Sequence, residues 1–372
     1  MDDKPRTHSD KISFLTDQQI EKNQLKENLL QNMSKISDND EKSILKEILS
    51  NFDNFCDSLS QQEIYFLKSH DSSTWLNYLI FRFQFKTYPK KQILPKFPLY
   101  LLIEPVSACN LRCIMCFQID ETFSKNQEFM GMMKFDLFKK IIDQAYANGT
   151  KAITLASRGE PTLHPQLGEM LDYCSGKFFE IKINTNATKL NEKLIHKILQ
   201  SGVTDVVFSV DSYSKEEYES IRVKGIFENV LNNIKKFKEI KSEYPNSICA
   251  TRISGVKVTK EQDPIKFKEF WKEYVDHVAI VEMDNRWDTY HNPKEIAGTI
   301  PCEYLWERMY IWYDGKCNPC DIDYKSELEV GNVTTHSLNE IWNSSKYAEL
   351  RKFHSSGQRS SCFPCDRCPY GS

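Results

Sequence analysis

Between residues 99 and 282 the sequence alternates short apolar runs with longer amphipathic segments, and this alternation constrains the fold more than any other feature. Strands are predicted at Leu99–Glu104, Ala152–Ala156, Glu180–Asn184, Asp205–Val210, Ile248–Val258 and His277–Glu282. Helices are predicted between them, as in FDLFKKIIDQAYANG, which Gly149 stops, and ENVLNNIKKFKEIK. Strands joined by crossovers of this length form a parallel sheet wound right-handedly. Six units fall short of the eight in a closed barrel. The expected fold class is therefore α/β, with a partial (β/α)6 TIM-like barrel. In such barrels the functional side chains gather at the C-terminal ends of the strands.

One group of residues sits at such an end. CNLRCIMC places Cys109, Cys113 and Cys116 a few residues after the first predicted strand. Three thiolates so closely spaced can wrap one face of an iron–sulfur cube, because cysteine sulfur is the preferred ligand of that iron. A cube has four irons, so one would lack a protein ligand, and an open metal position is where chemistry occurs. A zinc site is the alternative. It needs a fourth ligand, and the next candidate, His164, lies far along the chain in a different context, where it reads as structural.

The flanking regions differ in texture. Residues 1–96 read as helical: Thr16-Asp17-Gln18-Gln19 suggests a capping box, and Ile44, Leu45, Ile48, Leu49, Phe52 and Phe55 share one helical face. STWLNYLIFRFQF follows Ser72 or Ser73 as N-cap, and Pro95 and Pro98 mark a boundary. No alternating strand pattern is visible there. The expected domains are an N-terminal helical region at 1–96, a barrel at 97–297, and a small C-terminal cysteine-rich β-hairpin/helix domain at 298–372.

Charge and hydropathy exclude several classes. A formal net charge of −3 offers no basic field for nucleic acid or anionic membrane. The first residues lack an apolar signal core, and the apolar stretch around Trp75–Phe85 is interrupted by Asn77, Arg82 and Gln84. A cytoplasmic location is expected. Twelve cysteines without an export signal argue against a disulfide framework; nine fall in clusters at 109–116, 302–320 and 362–368, which points to metal. Cys56, Cys174 and Cys249 stand alone and read as buried apolar thiols.

With these motifs in order, residues 97–372 resemble a radical S-adenosylmethionine (SAM) enzyme with a C-terminal SPASM- or twitch-type domain. The resemblance implies a [4Fe-4S] cluster on Cys109, Cys113 and Cys116 with SAM at its open iron, and hydrogen abstraction from a substrate by a 5′-deoxyadenosyl radical. SRGEP at 157–161 is similar to the family's GGEP motif, so Gly159 would let the backbone approach and Glu160 would meet the SAM ammonium. Arg158 departs from the motif's first glycine. Asn186, in Asn184-Thr185-Asn186-Ala187, would bond the ribose, although Ala187 replaces a family glycine. Ser209 and Asp211 would line the SAM or substrate pocket. Arg222 would meet the SAM carboxylate, with a surface salt bridge as its alternative role. Met115 would stand near the adenine, and Phe117 would shield the cluster.

The C-terminal cysteines resemble the auxiliary-cluster ligands of a SPASM domain. That domain has seven cysteines and two auxiliary clusters, whereas six are present here: Cys302, Cys317, Cys320, Cys362, Cys365 and Cys368. The resemblance implies at least one auxiliary [4Fe-4S] cluster, held by Cys302, Cys320 and two of Cys362, Cys365 and Cys368, with Cys317 as a substitute. Paired CxxC knuckles keep a zinc ribbon open. Asp314-Gly315 signals a hairpin, and Ser337–Glu340 opens a helix toward Trp342. Asp321 stands where sulfatase-maturing relatives place the aspartate that takes the substrate's proton. The expected activity is oxidation, epimerisation or a related modification of a sugar or other small polar metabolite, with a peptide or protein maturase as the alternative. A non-enzymatic zinc-binding interaction protein is the reading from another class. The expected partners are that substrate and an external one-electron reductant such as flavodoxin or ferredoxin.

Overall fold

The computed structural model describes residues 12–14, 20–283, 288–294 and 300–370. The capping box read at Thr16–Gln19 lies outside them. Two compact units are present, one spanning Phe14–Ile93 and the other Leu94–Ser372 together with Met1–Ser13.

The first unit is helical, with helices at Lys22–Asn32, Asn39–Ser50, Phe52–Asp57, Gln61–Ser69 and Trp75–Thr87. Asp38 caps the second by accepting from the Asp40 and Glu41 amides. The apolar face read as continuous from Ile44 to Phe55 breaks at Asn51, whose φ of −130° and ψ of 43° leave helical space. The Ser72 or Ser73 cap is also corrected. Asp71 accepts from the Ser73 amide at 2.8 Å and starts a 3₁₀ turn, Ser72–Thr74, that runs into the last helix. Glu63 is fully buried at the start of the fourth helix, where it forms a capping box with Ser60 and pairs with Arg82 at 2.9 Å and with Lys86.

The second unit is built on one sheet. We label its strands β1 Tyr100–Ile103, β2 Ala152–Leu155, β3 Glu180–Thr185, β4 Asp205–Ser209, β5 Ala250–Lys257, β6 His277–Glu282, β7 Arg308–Ile311, β8 Lys316–Asn318 and β9 Gly331–Asn332. The sheet order is β6-β5-β4-β3-β2-β1-β7-β8-β9, with a short strand Ile12–Phe14, in the region read as wholly helical, beside β6. β1 to β6 are parallel throughout, which is the expected six-unit partial barrel. Crossover helices at Phe135–Ala147, Leu167–Cys174, Glu192–Gln200, Phe227–Ser242 and Pro264–Trp271 join them.

Alternation decides what each strand shows to each side. Ile153, Leu155, Ile181, Ile183, Val206, Phe208, Ile253 and Val278 face the helices and form the main core. Thr154, Lys182, Asn184, Val207, Ser209, Arg252, Ser254 and His277 therefore point into the barrel.

The C-terminal domain continues this sheet. β7 pairs parallel with β1, matching Arg308 to Tyr100 and Ile311 to Ile103, and β8 returns antiparallel after a turn in which Gly315 has a φ of 86°. Pairing with β1 places the hairpin at the open side of the barrel.

Candidate metal and cofactor site

β1 delivers the chain to Glu104, and the cysteine loop follows. Cys113 lies in a two-residue bridge, Arg112–Cys113, paired antiparallel with Arg222–Val223, so Cys113 and Arg222 are direct partners. The Ile114 amide donates to the Ile221 carbonyl at 3.0 Å, and the Cys116 amide to the Cys113 carbonyl at 2.9 Å. The loop is thus curled by its own turn and pinned by a segment more than a hundred residues later. Burial pushes the Cys109 thiol up to about 11 and Cys116 up to about 12, and each is raised further by its neighbouring cysteines. Three close, desolvated sulfurs hold protons firmly unless a cation replaces them. This donor set suits an iron–sulfur cube.

Later loops converge on the triad. Gly159 is required by close approach: a Cβ there would lie 2.3 Å from the Val106 carbonyl oxygen and 2.5 Å from that of Ala108. The Glu160 amide donates to the Ala108 carbonyl at 3.0 Å. The Glu160 carboxylate is held by the Thr162 amide at 3.0 Å, the Thr185 hydroxyl at 2.6 Å and the Asn186 amide at 2.7 Å. Burial raises its pKa, against the pull of these donors. The Asn186 side-chain amide faces Cys109 Sγ at 3.8 Å and donates to Asn110 Oδ1 at 3.0 Å. Ala187 takes a φ of 61°, so the alanine adopts the conformation a glycine would take at lower cost.

Arg222 is 8% exposed, which removes the surface salt-bridge alternative. Its Nε donates to Asp211 Oδ2 at 2.6 Å, while Asp211 Oδ1 accepts from the Val256 amide at 2.8 Å. Asp211 therefore aims the guanidinium toward Cys113. Ser209 ends β4 on the barrel-facing side, in register with Ser254. Met115 is half-buried beside the cysteines. The Phe117 ring stacks on Tyr324 with centroids 4.8 Å apart, so it reaches the C-terminal domain. His164 bonds the Met133 carbonyl at 2.9 Å and accepts from the Gln166 amide, which is structural.

The six C-terminal cysteines separate into two groups. Cys302, Cys320, Cys365 and Cys368 line one pocket, with Tyr304, Asp323, Arg359 and Tyr370 among its other walls. The Cys365 thiol is held far above its ordinary value by burial and by Cys302 and Cys368; Cys320 is raised in the same way, with Cys365 among its neighbours. Among the described residues no three His, Cys, Asp or Glu side chains close on a single-ion site; the four sulfurs surround the pocket instead. Cys317 is not with them. It is fully buried in the core on β8, with its Sγ toward the Gly315 carbonyl at 3.6 Å. Cys362, 8% exposed, packs in the same core near Glu349 and Asp366. Cys317 faces the core from within β8, whereas Cys320 lies two residues past the end of that strand, in the segment that lines the pocket.

Asp321 follows Cys320 and is half-buried beside Tyr310, whose phenol is held well above its ordinary value by burial first and then by the Asp321 charge. Tyr310 points into the barrel from β7, so Asp321 stands where the barrel and the four-cysteine pocket meet. Sequence reading missed a second carboxylate there. Asp323 is fully buried and accepts from Tyr290 Oη at 2.8 Å, Asn318 Nδ2 at 3.0 Å and the Leu328 amide at 2.7 Å. It also missed Arg252, whose Nε is buried without a hydrogen-bond partner among the described residues. The barrel-facing side of β5 would have flagged the arginine; nothing local flags Asp323.

Among the described residues no helix is long and apolar enough to cross a membrane. Over 113 residues the chain is 37% identical to a tungsten-containing aldehyde ferredoxin oxidoreductase cofactor-modifying protein of Pyrococcus furiosus, a match covering 30% of each. It is 27% identical over 304 residues to a cysteine-type anaerobic sulfatase-maturating enzyme of Clostridium novyi, covering 66% of this chain and 79% of that one. The match to the first relative thus spans under a third of its length. Among solved structures, Streptococcus suis SuiB bound to its precursor peptide SuiA superposes with a TM-score of 0.55 at 18% identity, covering 81% of this chain and 76% of SuiB. SuiB bound to S-adenosylmethionine gives the same TM-score at 17% identity, with 85% and 89% covered. The radical SAM superfamily model matches residues 103–270, and the SPASM iron–sulfur cluster-binding domain model matches residues 302–369. With its parallel barrel and its two sets of converging cysteines, the chain belongs to the radical SAM superfamily and carries a SPASM domain, whose cofactors are S-adenosylmethionine with a [4Fe-4S] cluster and auxiliary iron–sulfur clusters.

Proposed function

We propose that this enzyme oxidises a C–H bond of a small polar metabolite, with Cys109, Cys113 and Cys116 as ligands of the SAM cluster and Cys302, Cys320, Cys365 and Cys368 as ligands of one auxiliary cluster. When bound, these cofactors supply one-electron chemistry: reductive cleavage of SAM to a 5′-deoxyadenosyl radical, and uptake of the second substrate electron. Electrons enter from an external reductant such as flavodoxin or ferredoxin. The protein's work is to bind, orient and exclude water. Glu160 holds the SAM ammonium from a carboxylate already fixed by Thr185 and Asn186. Arg222, aimed by Asp211, offers its remaining guanidinium donors to the SAM carboxylate. Asn186 and Ser209 would complete the SAM pocket, and Met115, half-buried beside the cysteines, would cover the adenine. Phe117 shields the cluster loop on the Tyr324 side. Asp321 accepts the substrate's proton at its carboxylate, with Tyr310 beside it.

The observation that carries the substrate class is the polarity of the barrel wall. Lys182, Asn184, Ser209, Arg252, Ser254 and His277 all point inward, a lining that hydrogen-bonds hydroxyl, amine or carboxylate groups rather than apolar side chains. A peptide or protein substrate is the second reading, favoured by the sulfatase-maturating relative and by the SuiB fold.

Anaerobic reconstitution tests the chemistry: about eight irons per chain with matching sulfide, and 5′-deoxyadenosine on reduction with SAM, are expected. Stoichiometric zinc without SAM cleavage would sink the enzyme reading. Deuterated sugars and aminocyclitols, set against deuterated peptides, then decide the substrate class by which label enters 5′-deoxyadenosine.

A further inference from the structure

Residue 158 is where the chain departs from the first glycine of its family's motif, and the arginine there is 3% exposed. Its partners come from distant parts of the chain. Arg158 Nε donates to Glu104 Oε2 at 2.7 Å and Nη2 to Glu104 Oε1 at 2.6 Å, a two-pronged pair with a carboxylate that is itself fully buried. Glu104 also accepts from the Arg158 amide at 3.2 Å and the Tyr313 amide at 3.3 Å. The third prong, Nη1, donates to the Tyr324 carbonyl at 3.0 Å. The guanidinium lies over the Trp312 ring at 4.3 Å and the Phe123 ring at 5.4 Å.

The loop leaving the cysteine triad joins the same centre. Gln118, two residues after Cys116, is 1% exposed and donates to the Arg158 carbonyl at 2.6 Å and the Ser107 carbonyl at 2.8 Å. Tyr324 in turn stacks on Phe117. One guanidinium thus touches the end of β1, the SRGEP loop and the C-terminal hairpin, and the cysteine loop is bonded to its backbone. A buried ion pair adds little net stability, because desolvation offsets most of the attraction. What it imposes is geometry, since five fixed donors accept few alternative arrangements.

We propose that Arg158 is a positioning residue that locks the SRGEP loop and the triad loop to the C-terminal hairpin, so that the Gly159–Glu160 step and the four-cysteine pocket keep one spacing. Glycine at this position would free the loop and strand Glu104 in the interior. Lysine would keep the charge beside Glu104 but lose the fork and the bond to Tyr324. The consequence for SAM rests on the cofactor roles proposed above; the mechanical coupling does not.

Two measurements on Arg158→Gly and Arg158→Lys test this. The first is amide hydrogen exchange by mass spectrometry on the cluster-free full chain. Exchange at residues 157–160 and 311–324 is expected to accelerate together by about tenfold or more in Arg158→Gly, with β3 unchanged. The second is release of 5′-deoxyadenosine by reconstituted protein supplied with a chemical one-electron reductant, with SAM as the only added substrate. There the KM for SAM is expected to rise about tenfold in Arg158→Gly, with Arg158→Lys intermediate in both measurements. If Arg158→Gly fails to fold, Arg158→Lys alone must show the joint loosening and a raised KM. Unchanged exchange at 311–324 overturns the coupling. Joint loosening with KM and kcat for SAM within about twofold of the parent overturns the positioning role. A parent that releases no 5′-deoxyadenosine defeats the proposed function instead, and the exchange measurement still decides whether Arg158 couples the segments.

Discussion

Removing the C-terminal cysteines one at a time separates ligands from bystanders. Cys365 shares its pocket with Cys302, Cys320 and Cys368, and each is buried enough that water is a poor replacement for a lost sulfur. Cys365→Ala should therefore lose the auxiliary cluster and fall from about eight irons per chain to about four. Cys320→Ala should do the same. Cys317→Ala removes a sulfur that touches only core neighbours and the Gly315 carbonyl. Its iron content should remain at about eight, and the small void left on β8 should cost about 1 kcal/mol, or a few degrees of thermal midpoint. Cys362→Ala should likewise keep its iron. The assay is anaerobic reconstitution, followed by iron and sulfide quantitation and low-temperature EPR of the reduced protein. A Cys317→Ala protein holding about four irons, or a Cys365→Ala protein holding about eight, would refute the four-sulfur assignment.

Three further outcomes are expected. Glu63, fully buried between Arg82 and Lys86, has its pKa brought down to about 2 by the two cations, against the desolvation that raises it. Burial lowers the Lys86 ammonium even though its pairing with Glu63 opposes this, so the stability that pH removes is followed through the carboxylate. A depressed acid stabilises above its unfolded pKa near 4.3 and loses that contribution as pH falls toward 2, here about 3 kcal/mol. The urea-stability gap between cluster-free parent and Glu63→Gln should close by that amount between pH 5 and pH 2, and a constant gap would contradict it. Arg252 is a desolvated cation whose Nε has no partner among the described residues, so Arg252→Met should raise the unfolding free energy by about 1 kcal/mol or more in thermal melts. A lower midpoint would show that the guanidinium is compensated. Asp321→Asn should reduce substrate oxidation by about a hundredfold; undiminished product formation would place the base elsewhere.

The parallel barrel was legible because short apolar runs alternate with amphipathic segments along its six units, and the observed strand ends match the predicted ones to within about two residues. The triad was legible because its ligands are seven residues apart at most, too close for folding to separate them. The hairpin at Asp314–Gly315 and the capping box at Ser337–Glu340 are local for the same reason. Local signals also misled. Ser72 and Ser73 are good N-cap residues, yet Asp71 one step earlier captured the turn. Cys317, in a CxxC pair with Cys320, has ligand spacing but a core-facing position on its strand.

The sheet's parallel sense, the strand end that holds the cysteine triad and the supply of sulfur ligands can be read along the chain. These are properties of short segments, set by side-chain period and by spacing along the chain. Folding settles which four of six cysteines share a pocket, that Asp211 aims Arg222, and that Arg158 joins Glu104, 54 residues away, to Tyr324, 166 residues away. Those outcomes depend on which strands become neighbours. Once β7 pairs with β1, groups with no relation along the chain are desolvated together and must satisfy one another.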